Sequence, residues 1–390
     1  MEKPKIAHII TRLIIGGAQE NTLYTVEGLM KKGYDVTLIT GPAVGPEGTL
    51  FDEAEKASVK IILVPSMRRA VNPFLDTIAF FKLLNIFKRE KYDIVHTHSS
   101  KAGILARIAA KLAGVKLVIH TIHGLPYHKY QSKLPNIFYK SCERFVARFT
   151  DYFITVSEAM TEQSIAAGVS KRELYMVIRS GFDLNNYFNS GGDEKQLRKT
   201  LKIPPDAVVI CKIARLFELK GHEYVFDAFS KLARRHKNIY LLLVGDGILK
   251  DTFVNMAKNL GISDKIIFAG LIHPSKIPEY IRASDIIVHA SLREGLAKVI
   301  PQSFACKKPI VSFDVDGARE VVKNDITGCL VQPKDSNGLY EALKKLVENK
   351  KLCEKMGEQG KNLIIPYFDK NYMVDEIEKL YIELWQEKNN

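Results

Sequence analysis

Two stretches of this sequence hold residues whose types and spacing suit anion and sugar chemistry. In Arg293-Glu294-Gly295-Leu296-Ala297-Lys298-Val299-Ile300-Pro301-Gln302 an acid and a glycine end an apolar run and open a helix; a second polar side chain, Gln302, follows eight positions after the acid. A helix start leaves backbone N–H groups unpaired at the positive end of the macrodipole, a natural seat for phosphate. In Ala214-Arg215-Leu216-Phe217-Glu218-Leu219-Lys220-Gly221, after another apolar run, Arg215 and Lys220 could supply matching cations. Together the two stretches suggest a site for a diphosphate bearing a sugar.

Other candidates are individually ambiguous. Gly16-Gly17 follows the first apolar run and would let a backbone approach phosphate or sugar closely, or simply make a tight turn. It is not GxGxxG, and Thr37-Leu38-Ile39-Thr40 ends the second run without an acid, which disfavours a nicotinamide dinucleotide. His123, in Thr121-Ile122-His123-Gly124, is expected at a strand's C-terminal rim, able to donate to a phosphate or hydroxyl, shuttle a proton, or serve structure alone. His96 and His98 would share a strand face, but no third ligand with recognisable spacing accompanies them, so no metal site is expected. Gly245-Asp246-Gly247 could face a ligand, or Asp246 could cap a helix. The loop Phe313–Glu320 has the same two readings.

These residues need a scaffold, and the pattern supplies one. Apolar, β-rich runs alternate with helix-period segments almost from end to end, the mark of parallel α/β sheets. The first series of strands is Lys5–Thr11, Asp35–Thr40, Val59–Val64, Asp93–His96, Lys116–His120 and Tyr152–Val156, with helices such as Ala18–Lys32, Pro73–Lys91 and Lys101–Ala113 between them. The second is Val208–Ile213, Ile239–Val244, Ile266–Ala269, Ile286–His289 and Pro309–Ser312. Polar, glycine-containing Asn185–Asp193 reads as the linker between them. The tail Lys370–Asn390 reads as an amphipathic helix (Met373, Ile377, Leu380, Leu384) that returns to the first domain. Two Rossmann-like domains facing each other would place a ligand in a cleft between strand C-termini.

At 390 residues, with 46% hydrophobic and 26% charged content, the chain is an ordinary globular protein of about two domains. It has no apolar run of a membrane span's roughly 18 residues, and none of the features of a signal peptide. Five scattered cysteines without a CxxC pair favour a reducing cytoplasm over a disulfide frame or zinc. The net charge of +13 implies an anionic partner, and residues 1–180 hold most of it, with 25 Lys plus Arg against 16 Asp plus Glu. Met67–Lys91 and Tyr127–Asp151 interleave cations with aromatics, which suits an anionic membrane interface or an ordinary core.

Taken in order, Gly16-Gly17-Ala18-Gln19, His123-Gly124, Arg215 with Lys220-Gly221, Gly245-Asp246-Gly247, Glu294-Gly295-Leu296 and Gly317 with Glu320 resemble the motifs of family 4 glycosyltransferases. These are retaining enzymes of the GT-B fold, and the resemblance spans nearly the whole length. It implies an acceptor-binding domain of residues 1–185 plus 370–390 and a nucleotide-sugar-binding domain of residues 186–369. His123 would sit beside the reacting anomeric centre. Arg215 and Lys220 would hold the leaving diphosphate, and Glu294 the sugar hydroxyls. Backbone amides of Leu296–Val299 (Leu296, Ala297, Lys298, Val299), after Gly295, would contact sugar and phosphate; Gly16, Gly17, Gly245 and Asp246 would line the donor site. The base would stack near residues 268–272. No cofactor or metal is implied, only a nucleotide-sugar substrate, with a UDP-sugar expected first.

The departure is Gln302. The family's second acid accepts from ribose hydroxyls; glutamine keeps a carbonyl acceptor but loses the charge, so these bonds should weaken rather than vanish. The resulting expectation is a cytoplasmic, metal-independent hexosyl- or N-acetylhexosaminyltransferase acting on a lipid-linked saccharide or cell-envelope precursor, peripheral on the inner face of the membrane. A sugar-nucleotide epimerase of the same fold and a catalytically silent scaffold binding a partner or anionic lipid are the alternatives. Nucleic acid is not an expected partner.

Overall fold

The computed structural model describes residues 3–45, 47–189 and 194–389, so the glycine-containing end of the expected linker, 190–193, lies outside the described residues. The chain forms two compact units, Met1–Phe182 with Tyr367–Asn390, and Asp183–Pro366.

The first unit alternates strand and helix. Its elements are β1 (Ile6–Arg12), α1 (Gly17–Lys31), β2 (Val36–Gly41), α2 (Phe51–Lys56), β3 (Lys60–Leu63), α3 (Pro73–Glu90) and β4 (Ile94–His98). They continue with α4 (Ser100–Leu112), β5 (Leu117–Ile122), α5 (Lys133–Ala147), β6 (Tyr152–Thr155), α6 (Glu158–Ala166) and β7 (Tyr175–Val177). The seven strands form one parallel sheet in the order β3-β2-β1-β4-β5-β6-β7. Helices on both faces bury the central strands, which is why β1, β2, β4 and β5 read as continuous runs rather than alternating ones.

The second unit repeats the scheme. Its elements are α7 (Leu184–Asn189), α8 (Glu194–Thr200), β8 (Val208–Ile213), α9 (His222–Arg235), β9 (Ile239–Val244), α10 (Lys250–Asn259), β10 (Ile266–Gly270) and α11 (Ile277–Arg282). Then come β11 (Ile286–His289), α12 (Val299–Ala305), β12 (Ile310–Phe313), α13 (Ala318–Val321), β13 (Gly328–Val331), α14 (Ser336–Val347) and α15 (Lys350–Ile364). Its parallel sheet has the order β10-β9-β8-β11-β12-β13. In each sheet the winding reverses between two central strands, β1 and β4 or β8 and β11. Loops leaving the C-terminal ends of such strands diverge and leave room for a ligand.

The last helix, α16 (Lys370–Asn389), belongs to the first unit. Its buried stripe, Met373, Val374, Ile377, Leu380 and Tyr381, joins the core made by β1, β2 and α1. Burying each such aliphatic side chain contributes roughly 1.5–3 kcal/mol. The α1–α16 approach is close enough to require a glycine: a Cβ on Gly28 would meet Val374 Cγ2 at 2.6 Å. Lys32, bonded to Asp375 and Glu378 at 2.7 Å each, closes the solvent side of this seam.

Candidate active site

In the second unit the site is built from four loops at the C-terminal ends of β8, β9, β11 and β12. The loop after β8 is bound to the loop after β11: Leu292 N donates to Leu219 O at 2.8 Å, and a Cβ on Gly221 would lie 1.9 Å from Ala290 O. Gly221 also has φ +65, a left-handed conformation that a glycine adopts without strain. This fastening brings Lys220 onto Glu294, and the ammonium donates to the carboxylate in a tight ion pair. Burial works against the Glu294 charge, but Lys220, aided by His289, holds the carboxyl down at about 2. Asp316, after β12, accepts from Glu294 N at 2.8 Å, and Gly317 N donates to Gly295 O at 3.1 Å, so the glutamate loop is tied on both sides.

The helix expected to open at Gly295 starts later, at Val299, and has seven residues. Leu296 and Ala297 are therefore in a half-buried loop, and among the described residues nothing accepts from their amides. Gln302 is inside α12 and only 9% exposed, yet its carboxamide meets no partner among the described residues.

Arg215 is exposed, its guanidinium 5.0 Å from the centre of the Phe217 ring. Its backbone is braced from below: buried His222, pushed down to about 3 by burial and then by Lys212, is neutral and donates from Nε2 to Arg215 O at 3.1 Å. Gly245 and Asp246 form the adjoining turn. Gly245 N donates to Gly270 O at 2.8 Å, and a Cβ on Gly245 would lie 2.2 Å from Ala214 O. Asp246 accepts from Gly247 N at 2.7 Å, and its carbonyl accepts from Leu216 N at 3.0 Å, so here it shapes the turn.

Sequence reasoning missed Lys212 and His289. Lys212 is only 1% exposed, and its Nζ has no hydrogen-bond partner. Burial, reinforced by Lys220, pushes it down to about 7. His289, with Nε2 unpartnered, is likewise pushed down to about 3 by burial. The signal was there to read in Val208-Val209-Ile210-Cys211-Lys212-Ile213, a cation inside an otherwise apolar strand.

In the first unit, Gly16 and Gly17 open α1 directly after β1, and no side chain caps that end. His123 follows the last residue of β5, at the same end of the sheet. It is not isolated: its Nε2 lies 3.0 Å from His98 Nδ1. His96 and His98 do share a face of β4, their rings 4.3 Å apart. Their third neighbour comes from a strand about ninety residues earlier, His8 on β1, which is in register with His96. His8, His96 and His98 present ring nitrogens within 4.8 Å of one another, a spacing compatible with a metal ion. Each ring nitrogen of this trio, however, already faces a hydrogen-bond partner in the protein. Burial holds all three imidazoles neutral, His8 at about 3 and the other two well below their ordinary range.

Two helices of the first unit, α5 and α3, expose apolar and basic side chains. On α5, Leu134, Ile137 and Phe138 are 80%, 61% and 58% exposed, flanked by Lys133 and Arg144. Its inner face is fixed by the buried ion pair of Glu143 with Arg107 of α4, at 2.8 Å. On α3, Phe74 and Phe81 are similarly exposed. No helix of the described residues is long and apolar enough to cross a membrane.

Comparison with known proteins agrees with this architecture. Residues 15–186 match the family described as Glycosyltransferase Family 4, and residues 193–363 the one described as glycosyl transferases group 1. A UDP-Gal:alpha-D-GlcNAc-diphosphoundecaprenol alpha-1,3-galactosyltransferase of Escherichia coli is 31% identical across 98% of this chain and 97% of its own. Among solved structures, Anabaena Alr3699/HepE in complex with UDP-glucose superimposes with a TM-score of 0.82 at 21% identity, covering 97% of this chain and 100% of that one. A glycosyltransferase from Rickettsia africae does so with a TM-score of 0.81 at 24% identity, over 99% of each chain. The fold is GT-B, and the chain belongs to the family 4 glycosyltransferases.

Proposed function

We propose that the protein transfers a hexose or N-acetylhexosamine from a UDP-sugar to a lipid-linked saccharide of the cell envelope, with retention at the anomeric carbon and without a metal ion. The observation that carries this reading is the Lys220–Glu294 pair, set on loops tied together beside uncommitted amides and the unpartnered carboxamide of Gln302. A sugar diphosphate supplies what this half-site lacks. Its phosphates take the charge of Lys220 and Arg215, its sugar hydroxyls donate to Glu294, and its ribose reaches Gln302. The uracil would lie against the end of β10, near residues 268–272. Cations fixed before the reaction stabilise the charge that grows on the departing diphosphate. That is the task a metal would otherwise perform.

In the first unit, Gly16-Gly17 and His123 offer a bare backbone and an imidazole at the same end of the sheet, suited to the acceptor and the reacting carbon. The acceptor hydroxyl attacks the anomeric carbon on the face from which UDP departs, and its proton passes to the leaving phosphate oxygen. The name of the E. coli relative supports a UDP-sugar donor and a polyprenyl-diphosphate acceptor. The exposed apolar face of α5, with its flanking cations, suits an anionic membrane surface where such acceptors reside.

A thermal-shift screen of UDP-, GDP- and ADP-sugars identifies the donor, since a ligand of the native state raises its stability. Transfer to a short polyprenyl-diphosphate saccharide, unaffected by EDTA and yielding the α-anomer, then tests the reaction. Lys220→Ala and Glu294→Ala should each lower turnover roughly a hundredfold or more with the fold intact. Near-normal rates in either variant would sink the assignment. Interconversion of the donor without an acceptor would mark an epimerase instead.

A further inference from the structure

The buried histidines of the first unit form a single line of hydrogen bonds. His123 Nε2 faces His98 Nδ1 at 3.0 Å, and His98 Nε2 faces His8 Nδ1 at 2.9 Å. His8 Nε2 faces the Tyr381 hydroxyl at 3.3 Å, which faces His96 Nδ1 at 2.5 Å. His96 Nε2 ends the line on Thr121 Oγ1 at 2.6 Å. Both nitrogens of His98, His8 and His96 are thus used, and all three rings are fully buried. Three strands and the last helix meet to make it: His8 from β1, His96 and His98 from β4, Thr121 from β5 and Tyr381 from α16.

We propose that Tyr381, acting through His8 and His98, positions His123 and couples the tautomer of its ring to that of the whole buried line. A neutral imidazole has one N–H and one lone pair, so each ring that accepts on one side must donate on the other. The Tyr381 hydroxyl has one proton and two lone pairs; unless that buried proton is left without an acceptor it donates to one imidazole and accepts from the other, which carries the rule across to His96. The line therefore has two consistent directions. In one, Thr121 donates to His96 and every later group donates toward His123, whose Nε2 accepts and whose proton sits on Nδ1. In the other, His123 donates from Nε2, and its Nδ1 is the lone pair. A single ring cannot change tautomer without leaving two donors or two acceptors facing each other, so the line switches as a whole. Burial supports this by keeping the rings uncharged, and the phenol of Tyr381 is raised far above its ordinary range, so it stays protonated.

The consequence for chemistry rests on the reading of His123 as the residue beside the reacting centre. A histidine of fixed tautomer presents one defined face, donor or acceptor, to a substrate hydroxyl. Tyr381 and His8 are positioning residues in this scheme and touch no substrate.

The test uses full-length protein with 15N-labelled imidazoles. Wild type should show nitrogen–nitrogen couplings across the His8–His98 and His98–His123 hydrogen bonds, and a single tautomer for His123. Absence of both couplings overturns the proposal without any variant being made. Tyr381→Phe removes only the hydroxyl and keeps the buried ring. It should turn the His123 signals into a mixture of tautomers and lower kcat roughly tenfold, with donor KM within about twofold. Unchanged His123 signals and unchanged kcat in a folded Tyr381→Phe protein also overturn it. The spectra read the line whether or not sugar is transferred. Full transfer activity in His123→Ala would instead overturn the role given to His123 in catalysis, while the couplings would still stand.

Discussion

Lys212 makes a quantitative prediction, because its ammonium is buried near Lys220 and Glu294 with nothing to bond. A lysine that ionises near 7 rather than at its ordinary 10.5 costs the fold about 5 kcal/mol wherever both folded and unfolded chains are protonated, that is, below pH 7. Between pH 7 and 10.5 the unfolded chain holds this proton and the folded chain does not. Stability conferred by this residue therefore rises with pH across that window, by about 1.4 kcal/mol per pH unit. Lys212→Met keeps the length of the side chain and removes the charge. The variant should be more stable than wild type by about 5 kcal/mol at pH 6.5, and by only about 1.5 kcal/mol at pH 9.5. For a unit of this size the first figure corresponds to a melting temperature about 10 °C or more higher. Differential scanning calorimetry is the appropriate assay, since the single tryptophan, Trp385, sits on α16 in the first unit and does not report on the second. A difference that does not change with pH, or a Met variant less stable than wild type at pH 6.5, would refute the reasoning. The same logic gives a binding signature. A diphosphate seated beside Lys220 would make protonation of Lys212 easier. Titration of UDP at pH 7.5 in buffers of different ionisation enthalpy should then show proton uptake by wild type and less by Lys212→Met.

Two further outcomes are expected. Gln302→Glu would give the proposed ribose contact a charged acceptor and should leave turnover within about twofold or tighten UDP binding by up to roughly tenfold, read by calorimetric titration; a dead variant would mean that the pocket is built around a neutral side chain. Ile137→Glu with Phe138→Glu, both on the exposed face of α5, should weaken sedimentation with phosphatidylglycerol vesicles about tenfold or more while leaving the melting temperature unchanged, and unaltered vesicle binding would remove α5 as the membrane contact.

The parallel sheets were legible because their central strands are buried on both faces and stand out as apolar runs. Val208–Ile213, Ile239–Val244 and Ile286–His289 have the ends that the sequence suggests. What escaped notice was short and peripheral: β7, of three residues, and β13, of four, are sheet-edge strands too brief to show a period. The start of α12 was misplaced because a glycine after an acid reads as a helix opening. Here Glu294 N is instead taken by Asp316 and the chain stays irregular until Val299. The residues proposed for the site stand out in the sequence by type, but their partners in the structure do not. Nothing local in the sequence links His8 to His98, or either to Tyr381, because the link is made by the register of β1 on β4 and by the return of α16.

That return of α16 has a consequence for how the protein is made. The first unit needs the stripe from Met373 to Tyr381 to close its core, yet the whole of Asp183–Pro366 is translated in between. At ordinary elongation rates roughly 180 residues take about 10–40 s. During that interval the N-terminal sheet has emerged from the ribosome with the seam along α1 open and His8 lacking its phenol. A nascent chain stalled before residue 370 would thus display every residue of the proposed donor site while the core of its first unit stayed open, which makes the arrival of α16 a checkpoint on the folding of that unit.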